Sequence, residues 1–136
     1  MKIRLLASTP AVEALIATAM LTTTSGAAPS TLFHRLSREQ NKVADVVGRL
    51  EVQHGSVLEH NRMSWLLEAE EGEVLKVLLR NRFFSFSRLG STSWLLSANL
   101  RTVVEYRAEG DEFGKLLMES IREVAPSIYA NGRLAA

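Results

Sequence analysis

Polar and apolar residues alternate through Lys2-Ile3-Arg4-Leu5 and give way to the apolar Leu6-Ala7, which predicts a strand near residues 2–7 running into a core. Thr9-Pro10 has the form of a helix N-cap followed by proline at the first helical position. Val12, Leu15, Ile16, Ala19 and Met20 then recur at three- and four-residue spacing, one apolar face of a helix that the polar cluster Thr22 to Gly26 ends in a loop. Ser37 with Gln40 has capping-box spacing, and behind it Val43, Val46, Val47 and Leu50 form the inner face of an amphipathic helix.

Alternation returns from Asn61 to Glu70 through Met63, Trp65, Leu67 and Ala69, a half-buried strand near residues 61–70. Glu71-Gly72-Glu73 reads as a turn and Val74, Val77 and Leu78 as a short helix. Two further strands, near residues 83–88 and 92–97, flank a hairpin turn at Arg88-Leu89-Gly90-Ser91. A helix starts near Ser97 with Asn99 and Arg101 in its first turn. Asp111 caps a last helix carrying Phe113, Leu116, Leu117, Ser120, Ile121 and Val124, which stops near Pro126 before a frayed tail, Asn131 to Ala136. Strands joined by short turns and interleaved with helices predict a single α+β domain over residues 1–136, an antiparallel sheet covered by helices.

Composition changes this picture little. With 46% hydrophobic and 23% charged residues the chain is of ordinary globular type, and a net charge of +1 gives no footprint for nucleic acid. The absence of cysteine removes disulfides, thiolate metal sites and a cysteine nucleophile, and His34, His54 and His60 lack zinc-site spacing. Lys2 and Arg4 precede an apolar stretch, but Pro10 and Glu13 interrupt it, so a signal peptide is not expected and the expected location is cytoplasmic. No run reaches the roughly 18 apolar residues of a membrane helix.

Two short stretches carry candidate chemistry. His54-Gly55-Ser56-Val57-Leu58-Glu59-His60 is readable as a helix start, with Ser56 as N-cap and Glu59 closing the box. Arg80-Asn81-Arg82, followed by Ser85, sets two guanidinium groups where an apolar helix gives way to a strand. There they can meet an anion in a planar fork, or simply face the negative end of a helix dipole or pair with surface carboxylates. In order and spacing the two stretches resemble the motifs of the flavin-dependent thymidylate synthases, His-x-Ser-x-x-Glu-His and then an Arg-His-Arg triplet with Ser after two residues. The opening strand and helix, Asn99-Leu100-Arg101 and the ending Val124-Ala125-Pro126 are similar to further landmarks of that family.

The resemblance implies the family's fold and a flavin, FAD, held by His54, Ser56, Arg80, Asn81, Arg82, Asn99 and Arg101. It implies reductive methylation of deoxyuridine monophosphate, with NADPH and methylene-tetrahydrofolate as co-substrates and no catalytic protein nucleophile. It also implies a homo-oligomer, a tetramer, because the family builds its flavin sites between subunits. Substrate-side residues match less well. The family's helical insertion after the triplet is replaced by the hairpin at Gly90, its second serine and arginine fall on Gly90 and Thr92 with Ser91 one residue out of register, and its glutamine before the triplet is Val77. Ser91 and Arg107 are the candidates left for an anionic substrate. The alternative function is a non-catalytic structural or binding homologue that keeps fold and assembly without the nucleotide site.

Overall fold

The computed structural model describes residues 1–22 and 24–134. Thr23 of the expected loop, and Ala135 and Ala136 of the expected tail, lie outside the described residues. Four strands, β1 (Lys2–Ser8), β2 (Met63–Glu68), β3 (Ser85–Arg88) and β4 (Ser93–Ala98), form an antiparallel sheet in the order β1-β2-β4-β3. The chain is thus α+β, as its patterning predicts.

Register puts Leu5, Trp65, Leu96 and Phe86 in one row across the four strands, and Arg4, Leu66, Leu95 and Ser87 in the neighbouring row on the other face. Because side chains alternate, the first row enters the core, where Trp65 and Leu96 are fully buried, and the second stays half-exposed or exposed. A register shift between Leu5 and Ala7 lets the outer strand bend while keeping Leu5 on the inner face.

The strands are shorter than expected where side chains compete for the backbone. Asn61 leaves β2 because its amide donates to the Leu58 carbonyl at 2.8 Å and its oxygen accepts from the Leu100 N–H at 2.8 Å. Glu70 leaves the other end to start α4 (Glu71–Arg80), where Glu70 and Glu73 form a reciprocal capping box. Residues 71–73, expected as a turn, are therefore the first turn of that helix. Phe83 and Phe84 stay outside β3 because the Asn81 side-chain oxygen accepts from the Phe83 N–H at 2.8 Å, an Asx turn. Phe84 then packs edge-on against Tyr106 and Phe113, with ring centroids 5.5 and 5.4 Å away.

The helices are α1 (Val12–Leu21), α2 (Pro29–Leu36), α3 (Gln40–Gly48), α4, α5 (Leu100–Tyr106), α6 (Glu112–Ser120) and α7 (Pro126–Ala130). Three predicted starts are corrected. Thr9 is not the cap of α1. Its hydroxyl accepts from the Arg62 N–H at 2.8 Å and tethers β1 to β2, while α1 starts after Ala11 in a left-handed conformation at φ 50. Ser37 closes α2 rather than opening α3, donating to the His34 carbonyl at 2.8 Å. Ser56 caps nothing, because it sits inside a 3-10 segment, Val52–Glu59, that kinks at His54.

The last helix also differs. It ends at Ser120, and Pro126 opens α7 at its first position, where its missing N–H costs nothing. Glu13 on α1 reaches across to accept from the Ile128 N–H at 2.9 Å and the Ser127 N–H at 3.3 Å. The tail up to Leu134 is not frayed. Asn131 is buried and donates to the Val47 and Leu50 carbonyls at 2.9 and 3.0 Å, which ties the C-terminus to the end of α3. Helices α1, α2 and α3 pack together, α6 lies on β1, and α5 rests on α6 and on the 3-10 segment. No helix among the described residues is long and apolar enough to cross a membrane.

Candidate functional site

The residues that the sequence motifs single out fall into two neighbourhoods and two outliers. The first neighbourhood forms where the 3-10 segment meets the start of α5. His54 and Ser56 are exposed on either side of buried Gly55, and a Cβ on Gly55 would stand 3.7 Å from Arg101 Nε. The turn therefore lies in van der Waals reach of the Arg101 side chain. Asn99 caps α5, its oxygen accepting from the Thr102 N–H at 3.0 Å, so its amide nitrogen is the group left for another partner.

Arg101 is a held rather than a mobile cation. Its Nη1 donates to Glu59 at 2.6 Å and its Nε to Glu105 at 2.9 Å, and the hydrogen bonds to Glu105 and then Glu59 raise its pKa further. Beside it is a cleft of about 160 Å³ lined by Gly55, Leu58, Arg101, Val104, Glu105 and Leu134. Asn61 fastens this neighbourhood, bonding the 3-10 segment to the first turn of α5. Sequence reasoning missed it, because an asparagine opening an alternating stretch carries no sign of a partner 39 positions away.

The second neighbourhood surrounds the triplet. Arg80 ends α4 and donates to Asp111, with Glu109 at 3.9 Å. The Tyr106 hydroxyl donates to the same Asp111 oxygen at 2.7 Å, and the other Asp111 oxygen caps α6 by accepting from the Gly114 N–H at 2.8 Å. Burial first, and then the bond to Asp111, push the Tyr106 phenol up to about 12. The Arg80 guanidinium is held charged chiefly by the Tyr106 hydroxyl and then by Asp111 and Glu109. Asn81 is occupied by its turn. Arg82 is exposed, with its guanidinium 5.1 Å from the Phe83 ring centroid, and has no ion pair among the described residues. The serine after the triplet, Ser85, accepts from Arg62 Nη2 at 3.0 Å on the uncovered side of the sheet.

The outliers are the substrate-side candidates. Ser91 sits at the tip of the β3–β4 hairpin, where its carbonyl accepts from Arg88 at 3.1 Å. Strand β4 separates it from Asn99, about 20 Å at ~3.4 Å per residue. Arg107 follows α5 and lines a cavity of about 350 Å³ with Lys115, Met118, Glu119 and Tyr129, and its Nη1 is buried with no hydrogen-bond partner among the described residues. A buried guanidinium nitrogen without an acceptor is uncommon, which keeps Arg107 a candidate for an anion. Among the described residues no group of three or more His, Cys, Asp or Glu is placed to hold a metal ion. The chain matches no protein-family model and no curated protein.

Proposed function

We propose that this chain is a flavin-dependent thymidylate synthase-like protein that holds FAD at a site shared between copies of itself. The observation that supports the reading is the meeting of the His54–Ser56 turn with Arg101, on the helix that Asn99 caps. Residues more than forty positions apart that match the family's flavin-facing motifs come together in one neighbourhood. When bound, the flavin would supply methylene and hydride transfer to the uracil ring of deoxyuridine monophosphate, drawing on methylene-tetrahydrofolate and NADPH.

The chain's own part is binding and orientation. Arg101, fixed between Glu59 and Glu105, presents a planar donor at a set angle against the Gly55 turn, His54 and Ser56 are exposed on either side of that glycine, and Asn99 caps the helix that carries Arg101. Arg82, with no carboxylate partner among the described residues, is the arginine of the triplet best suited to a cofactor phosphate. Arg107 is the candidate for the anionic substrate. A cleft of about 160 Å³ is smaller than the roughly 300–1,000 Å³ of ordinary ligand sites, and on this reading a second copy completes it. Homo-oligomerisation, to a tetramer, is part of the proposal.

A second reading has its own observation. Arg80 is committed to Asp111 and Tyr106, and Ser91 lies the length of a strand from the flavin-facing group, as in a homologue that keeps fold and assembly without the nucleotide site. Flavin retention and melting temperature of Arg82→Ala and Arg80→Ala separate the two. On the first reading the parent is yellow and Arg82→Ala loses FAD affinity roughly ten- to a hundredfold without melting earlier. A colourless parent, with Arg80→Ala merely melting earlier, favours the second. Methylation of deoxyuridine monophosphate is then assayed separately.

A further inference from the structure

Helix α4 has two apolar stripes. Val74 and Val77 are buried at 3% exposure, whereas Leu75, Leu78 and Leu79 face outward at 53, 38 and 87%. The outer three stand at i, i+3 and i+4, one continuous face. Phe83 extends it past the helix end at 59% exposure, with Arg82 stacked on the ring at 5.1 Å. Three large apolar side chains on one face of α4, with a fourth in the turn that follows it, mark an interaction surface rather than scattered exposure.

The charges along α4 say what fits there. Its first turn and cap are acidic, with Glu70 and Glu73 closing the capping box and the exposed Glu71 3.4 Å from Arg88, and just past its end, where Arg80 is paired with Asp111, Arg82 is a cation with no ion pair among the described residues. A helix with this polarity is complementary to itself in antiparallel orientation, where the two macrodipoles also oppose favourably. A two-fold axis near Val77 and Leu78 sets Leu75 of one copy against Leu79 of the other. The same axis brings Glu71 of one copy within reach of Arg82 of the other.

We infer that the exposed Leu75–Leu78–Leu79–Phe83 face of α4 is a two-fold interface with a second copy of this chain, the helices antiparallel and Glu71 paired with Arg82 across the axis. This deepens the assembly in the proposed function and rests on that reading for nothing except the expectation that the chain self-associates. The interface is isologous, so each copy buries the same face.

Mass measured by light scattering at micromolar concentration, with and without added FAD, tests the interface apart from the flavin. The parent is expected as an even-numbered oligomer in both, and Leu75→Glu with Leu79→Glu cuts its mass to half or less, a tetramer to dimers or a dimer to single chains, with unchanged circular dichroism and melting. Glu71→Arg raises the dissociation constant at least tenfold, and adding Arg82→Glu restores it. The chain contains no cysteine, so a cross-link keeps the test decisive if the glutamates unfold the protein. Leu78→Cys forms a covalent dimer on oxidation, whereas Leu6→Cys, 50% exposed on β1, does not. A monomeric parent, an assembly whose mass is unchanged by the glutamates, or Leu78→Cys linking no faster than Leu6→Cys would overturn the interface. A charge swap that fails to restore association would overturn the antiparallel pairing.

Discussion

Asp111 holds three elements with two oxygens, one capping α6 and the other receiving both Arg80 from α4 and the Tyr106 hydroxyl from α5. Its cap is readable in sequence because an aspartate before an apolar helical run has one common use. The other two partners are not, since nothing local tells Asp111 that Arg80 will be 31 positions away in sequence and beside it in space. Tyr106→Phe removes a hydrogen bond to a charged, partly exposed group and is expected to cost about 1 kcal/mol in denaturant unfolding. Because the phenol sits near 12 when folded against 10 as a free group, the folded chain keeps its proton longer. Tyr106 thus contributes stability below about pH 10 that is lost as pH rises towards about 12, a loss absent in Tyr106→Phe.

Glu13 behaves similarly in a different range. Burial, partly offset by the Ile128 and Ser127 N–H groups, raises its pKa above 4.5. As pH rises from there the unfolded chain ionises first, so the parent loses stability relative to Glu13→Gln over the units just above 4.5. Denaturation midpoints of the pair at several pH values check this, and parallel curves would contradict it.

At the scale of elements, the alternation at Trp65 and Leu67 and at Phe86 placed strand centres well, because period-two burial is a property of the strand itself. Strand and helix ends were decided by side-chain caps reaching across the fold or by acids in unexpected roles. Ser37 with Gln40, and Ser56 with Glu59, have capping-box spacing and open no helix, whereas Glu70 with Glu73 forms the box. Helix α2 was not singled out because Pro29 follows Ala28, which offers no capping side chain. Asn61 joins two elements that both border the candidate site. Asn61→Ala deletes two bonds, so it is expected to lower stability by about 1–2 kcal/mol and to weaken FAD retention, by loosening the His54–Ser56 turn against α5. Retention unchanged in a folded Asn61→Ala protein would separate that turn from the flavin.

For the whole molecule, the order of the two motif stretches along the chain is readable in sequence and their meeting in space only partly so. The His54–Ser56 turn and Arg101 come together, the triplet forms its own network with Asp111, and Ser91 is carried to the far end of β4. A site divided in this way within one chain is what a shared site between copies would require, and no sequence pattern in a single chain specifies which surfaces close it. On the proposed reading, flavin binding would be a property of the assembly. It is tested most directly by gel filtration of the purified protein, loaded with FAD and monitored by flavin absorbance and light scattering together. The account predicts flavin absorbance that travels with an oligomer and is lost from Arg82→Ala even at concentrations high enough to hold that variant in the parent's assembly. A colourless protein that elutes free of added FAD would contradict it.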